Sequence, residues 1–181
     1  GTIARGTIEI DSALTSGRKA GDVPTVPPVE SGSLAPLPAG IRPDEFVAEF
    51  PFPITASLLA RGQDQYSVYC AVCHDANGDG NGRVVRRGFT KPPSYIADNS
   101  RQLARSGFQV PLREVPVGYL FDVATNGFGA MADYSMQVSP RDRWAIAAYI
   151  RTLQLSQNIR LDELPPKLRE EATKALGGAA P

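Results

Sequence analysis

Five consecutive residues, Cys70-Ala71-Val72-Cys73-His74, hold both cysteines and the one histidine of this 181-residue chain. Any fold the chain adopts must present these three side chains together. The order Cys-x-x-Cys-His reads as a c-type haem attachment site. Two thiols three residues apart on one helical turn can each form a thioether to a haem vinyl group, with the adjacent His74 held beneath the porphyrin as proximal ligand. A structural zinc site needs about four nitrogen or sulfur ligands, and the chain offers three. A thioredoxin-like pair needs a βαβ setting, which the surrounding pattern lacks. The expectation is one covalent haem c on Cys70, Cys73 and His74.

Basic and acidic residues balance at 19 each, and no arginine-rich helix stands out, so nucleic acid is not an expected partner. No window approaches the 18 or more apolar residues of a membrane span. Covalent attachment of haem takes place outside the cytoplasm, which predicts an exported protein.

Seventeen glycines and sixteen prolines predict much non-repetitive structure, and eight of those prolines fall between Gly21 and Pro53. Proline removes a backbone donor and fixes its own φ, which rules out helix or central strand there. Residues 1–54 therefore read as an extended Pro/Gly-rich arm, with one edge strand at Thr7-Ile8-Glu9-Ile10-Asp11. The arm is either a flexible tether or a segment laid over a partner or over the rest of the chain. Its apolar residues, among them Phe46, Val47, Phe50 and Phe52, favour the second.

Residues 55–158 read as an all-α domain. Thr55 is the expected N-cap of a helix that runs, with a break at Gly62, to the Cys-x-x-Cys-His motif. Gly62, Tyr66 and Cys70 share one face, and a glycine there lets another helix approach. After His74, Asp75, Asn77, Asp79 and Gly80 mimic a calcium loop, but its twelfth position is Arg86 where a bidentate Glu belongs. The glycines more simply permit a tight path for the chain. Arg83, Arg86, Arg87 and Lys91 form a basic cluster, read equally as a solvated face, a propionate contact or a docking patch. Ser94 or Asp98 would cap a short helix through Leu103, Gln109 to Val115 is a loop, and Pro116 to Ala124 is a helix stopped by Asn126-Gly127. Ser139-Pro140-Arg141-Asp142 starts the last long helix, ending near Leu155. Residues 159–181 form a polar tail with a short helix from Pro166 to Leu176.

With one histidine already used, the sixth ligand is methionine, water, lysine or none. Met131, on the glycine-rich loop Gly127 to Tyr134, is favoured over Met136 by spacing, and a thioether would stabilise ferrous iron. Tyr134 and Trp144 read as pocket or core aromatics.

The motif, the proline loop and the stretch Gly127 to Leu153 resemble class I cytochromes c. The resemblance implies that fold, with a long proline-rich N-terminal extension, and iron ligation by His74 and Met131. It also implies a carbonyl from Pro92 or Pro93 accepting from His74 Nδ1. Ala132 stands where the family often has proline. More narrowly, Leu59-Ala-Arg-Gly62, Tyr66-Ser-Val-Tyr69-Cys70, Arg87-Gly-Phe89, Pro92-Pro-Ser94 and Asp142-Arg-Trp-Ala-Ile are similar to the mono-haem cytochrome c subunit of alternative complex III. That family implies multihaem cytochrome c, iron–sulfur and membrane subunits as partners, with a soluble cytochrome c or cytochrome c oxidase as acceptor. The implied place is the periplasmic side of the bacterial inner membrane, peripheral or lipid-anchored. The expected role is electron transfer within a quinol-oxidising complex, without substrate chemistry of its own. A freely diffusing cytochrome c, and a haem enzyme or ligand sensor with an open distal site, are the rival readings.

Overall fold

The computed structural model describes residues 12–19, 43–97 and 110–177. The edge strand expected at residues 7–11 and the short helix expected through Leu103 lie outside them. The described elements are α1 (Ser12–Ser16), α2 (Ala56–Tyr69), α3 (Ala71–His74), α4 (Val117–Asn126), α5 (Pro140–Asn158) and α6 (Pro166–Gly177), with three short 3-10 turns. Extended pairing among the described residues is limited to two isolated bridges, Arg18 with Phe46 and Phe128 with Met131. The fold is all-α.

Local chemistry accounts for the helix ends. Thr55 Oγ1 accepts from the Leu58 amide at 3.2 Å and starts α2. Ser139 Oγ accepts from the Asp142 amide at 3.2 Å, and Pro140 occupies the first turn of α5. Gly127, at φ 75°, ends α4. Two boundaries differ from the sequence reading. Helix α2 runs through Gly62 unbroken, because the glycine is spent on close packing and its backbone stays helical. Helix α5 extends to Asn158, where Asn158 Nδ2 bonds back to the Gln154 carbonyl at 2.8 Å.

Helices α2 and α5 form the main contact of the domain. A Cβ at Gly62 would fall on the Ala145 carbonyl, so only glycine permits this crossing. Ala145, Ala147 and Ala148 are buried along the facing side of α5. Tyr66, Phe46, Val115, Phe121 and Trp144 fill the centre, with the Phe121 and Trp144 rings stacked at 4.5 Å. Asp142 accepts both Arg61 Nε (2.7 Å) and Nη2 (2.9 Å), a fork that ties the N-terminal turn of α5 to α2.

Residues 12–19 are part of this core. The indole of Trp144 donates to the Leu14 carbonyl at 2.8 Å. Val47 N bonds to the Gly17 carbonyl, and Gly118 N to the Val47 carbonyl, both at 3.0 Å, so three separate stretches of backbone lie side by side. Buried Arg18 meets Glu45 at 2.5 Å and Asp122 at 3.2 Å, with its guanidinium 4.6 Å over the Phe46 ring. Burial pushes the Asp122 carboxyl up, and the Arg18 charge and hydrogen bond, with one from Asn126, oppose that. Ser12–Ser16 is helical, and residues 13–18 pack against the rest of the chain.

Candidate functional site

The turn from Cys70 to His74 continues α2 almost without interruption. Cys73 N and His74 N both bond to the Cys70 carbonyl, at 3.1 and 2.9 Å, and Asp75 N bonds to the Ala71 carbonyl at 2.9 Å. The helical direction ends at Asp75, a non-glycine residue at φ 65°. Its carbonyl accepts from the Tyr66 hydroxyl at 2.7 Å, which fixes the exit from the turn.

The following loop then folds back over the motif. Gly80 N bonds to the His74 carbonyl at 2.9 Å, Gly82 N to the Cys73 carbonyl at 3.1 Å, and Val84 N to the Val72 carbonyl at 3.2 Å. A Cβ at Gly82 would collide with the Val72 carbonyl, which explains the glycine. The resemblance to a calcium loop resolves into local turns: Asn77 Oδ1 accepts from Asp79 N at 3.1 Å and Asp79 Oδ1 from Asn81 N at 2.7 Å.

The imidazole of His74 is buried and lies stacked on Tyr95, ring centroids 4.7 Å apart and planes 10° from parallel. Burial pulls its pKa down to about 4, so the ring is neutral at pH 7. Its Nδ1 has no hydrogen-bond partner. The carbonyls of Pro92 and Pro93 therefore do not accept from it, and that of Pro92 lies instead against Gly80. Cys70 and Cys73 are half-buried, and no disulfide joins them. Burial first, then the neighbouring Cys73, pushes the Cys70 thiol up to about 12. A thiol held that high is a poor nucleophile, which argues against thiol–disulfide exchange.

Two tyrosines close in on the cysteines. Burial raises the hydroxyls of Tyr95 and Tyr134, and both cysteines contribute to each shift. Tyr134 is half-buried and meets Tyr69 edge-on at 6.2 Å, which brings the Met131 loop toward the turn. Met131 itself sits in a tight turn closed by reciprocal bonds between the Phe128 and Met131 backbones, 3.0 and 2.9 Å. It is half-buried, whereas Met136 is 89% exposed. Arg87, with Arg83, Arg86 and Lys91, is exposed and makes no ion pair among the described residues.

Sequence reasoning missed Tyr95. It follows Pro92-Pro93-Ser94 in a loop with no periodicity, and its place is set by Tyr95 N bonding to the Gly78 carbonyl at 2.8 Å. Only its position just past a rigid turn, within reach of the glycine loop, could have flagged it.

The family model for cytochrome c oxidase, cbb3-type, subunit III, matches residues 57–150. The chain belongs to that family. Membership makes it a subunit of a multi-subunit, membrane-associated respiratory oxidase complex. No curated protein matches the chain. Among the described residues, no helix is long and apolar enough to cross a membrane.

The family match corrects the resemblance to alternative complex III and to class I cytochromes c. The similarities behind those readings fall mostly within residues 57–150, the span that the oxidase subunit III family matches. The multihaem and iron–sulfur partners were implied by that resemblance alone. The expectation of one covalent haem c, and of a metal-binding protein with it, is corrected too. The matched family is described as an oxidase subunit III, and among the described residues no group of three or more His, Cys, Asp or Glu side chains could hold a metal ion.

Proposed function

We propose that this chain is an electron-transfer subunit of a cbb3-type oxidase assembly, without substrate chemistry of its own. Cys70, Cys73 and His74 form its working site, and Met131 is the residue that the opposite loop contributes. The carrying observation is the neutral, buried His74, with a free Nδ1, stacked on Tyr95 one residue after Cys73. A rigid, water-poor surround of this kind keeps reorganisation small when charge changes, which suits electron transfer. Tyr134 shields the site from the Met131 side, Pro92 and Pro93 stiffen the loop before Tyr95, and Arg87 belongs to the cationic rim. The subunit sits on the periplasmic side of the membrane, peripheral or lipid-anchored, and passes electrons within the oxidase assembly.

Electron flow through oxidase assembly purified from native membranes, measured with and without this subunit, tests this reading. Removing the subunit, or restoring it as His74→Ala, should slow electron delivery to the oxidase. Unchanged flow without the subunit would sink the electron-transfer assignment while leaving family membership intact.

A further inference from the structure

We propose that the loop around Phe89 is a docking face for an acidic surface on another protein subunit of the oxidase assembly. Phe89 is 61% exposed, an unusual position for an aromatic ring in a domain whose other described phenylalanines are buried or half-buried. The loop that carries it is well held. Gly88, at φ 100°, bonds to the Val85 carbonyl at 3.0 Å, Phe89 N bonds to the Val84 carbonyl at 3.1 Å, and Val84 N bonds to Val72. The ring is thus stitched by backbone to the Cys70–His74 turn, where Val72 is also exposed.

Arg83, Arg86, Arg87 and Lys91 surround this apolar point, all exposed and without an ion pair or side-chain hydrogen bond among the described residues. Other arginines are engaged: Arg18 and Arg61 with carboxylates, Arg151 and Arg169 with backbone carbonyls. The chain as a whole is neutral, so four unengaged cations in nine residues make a local positive field. An aromatic anchor inside a charged rim is the anatomy of a protein interface, and the rim selects an anionic partner and raises the rate of encounter. A lipid surface fits less well, because headgroup insertion uses an amphipathic helix with several apolar residues and this loop offers one ring and one valine. The proposal rests on membership of the oxidase assembly and not on the electron-transfer reading.

The test is rebinding of the whole chain to oxidase assembly purified from native membranes and stripped of this subunit by salt. The wild-type chain should rebind, and affinity should fall steadily between 50 and 500 mM salt, as expected for exposed charges. Phe89→Ala should weaken rebinding about tenfold, and Arg86→Glu with Arg87→Glu by about a hundredfold. Lys167→Glu with Lys174→Glu, the same charge change on α6, should stay within about twofold. All these positions are exposed, and circular dichroism should show every variant folded. Equal losses in the α6 variant, an unaffected Phe89→Ala, or no rebinding by the wild-type chain would each overturn the proposal. So would variants that lose binding to phosphatidylglycerol vesicles while rebinding the oxidase normally.

Discussion

Tyr95 covers one face of the His74 imidazole in a near-parallel stack at 4.7 Å, although the two residues lie on opposite sides of the glycine loop. That contact depends on the loop folding back, since Tyr95 N is fixed to the Gly78 carbonyl. Tyr95 also meets Tyr66 at 6.4 Å, and Tyr66 meets Tyr149 at 5.3 Å, so α2, α5 and the loop share one aromatic cluster. Tyr95→Leu should lose the stack and leave a partial cavity, costing about 2 kcal/mol. Tyr95→Phe keeps the ring and should cost under about 1 kcal/mol. Urea titration of the two variants measures both; equal stabilities would show that the stack contributes nothing.

Gly62 is where α2 and α5 come closest. Adding one methyl group in Gly62→Ala sets it on the Ala145 carbonyl, a backbone atom that cannot turn aside. The helix-propensity gain of about 1 kcal/mol for alanine should be overridden by overpacking, for a net loss of about 2 kcal/mol. Thermal unfolding followed by circular dichroism decides it. A higher Tm would mean that the two helices can part at no cost.

Arg18 bridges Glu45 and Asp122 in a buried cluster. Arg18→Met removes the cation that Asp122 and Glu45 share and should destabilise the protein by about 3 kcal/mol. Adding Asp122→Asn should recover part of that loss, because one uncompensated charge is gone. In a denaturant melt, a double variant less stable than the single one would refute this account.

The Arg61 hydrogen bond, followed by that of the Ser139 hydroxyl, holds the Asp142 carboxyl below its ordinary value of 3.8. A carboxylate with a lowered folded pKa adds stability that is present above the unfolded value and lost as pH falls through the folded one. The stability gap between the wild-type chain and Asp142→Asn should therefore be full at pH 6 and shrink below about pH 4. Melts at pH 6, 4 and 2.5 measure it. A gap of constant size would mean that the Arg61 fork does not depend on the charge of Asp142.

The helical frame was legible in the sequence because its signals are local. Thr55 and Ser139 cap as their side-chain chemistry dictates, Pro140 opens α5, and Gly127 closes α4. Gly62 was legible too, as a small residue on an otherwise packed face. The Arg18 cluster was not. Its partners stand 27 and 104 residues away, in a proline-rich stretch and a distant helix, and no periodicity links them. Nor was Arg151, whose guanidinium donates to the carbonyls of Leu112, Arg113 and Val115, an arrangement visible only once the loop has folded over it. At the site, Cys70, Cys73 and His74 announced themselves by rarity and adjacency, while Tyr95 needed the fold to reach His74. The stretches similar to alternative complex III, from Leu59 to Ile146, all lie within the span that the oxidase family matches, and such short local similarities do not distinguish one respiratory assembly from another.

Purification of the native protein in mild detergent, with identification of its companions, tests the central claim most directly. The account predicts co-purification with the catalytic subunit of a cbb3-type oxidase, with this chain in equal proportion. Recovery alone, or with a quinol-oxidising assembly that lacks an oxidase, would contradict it.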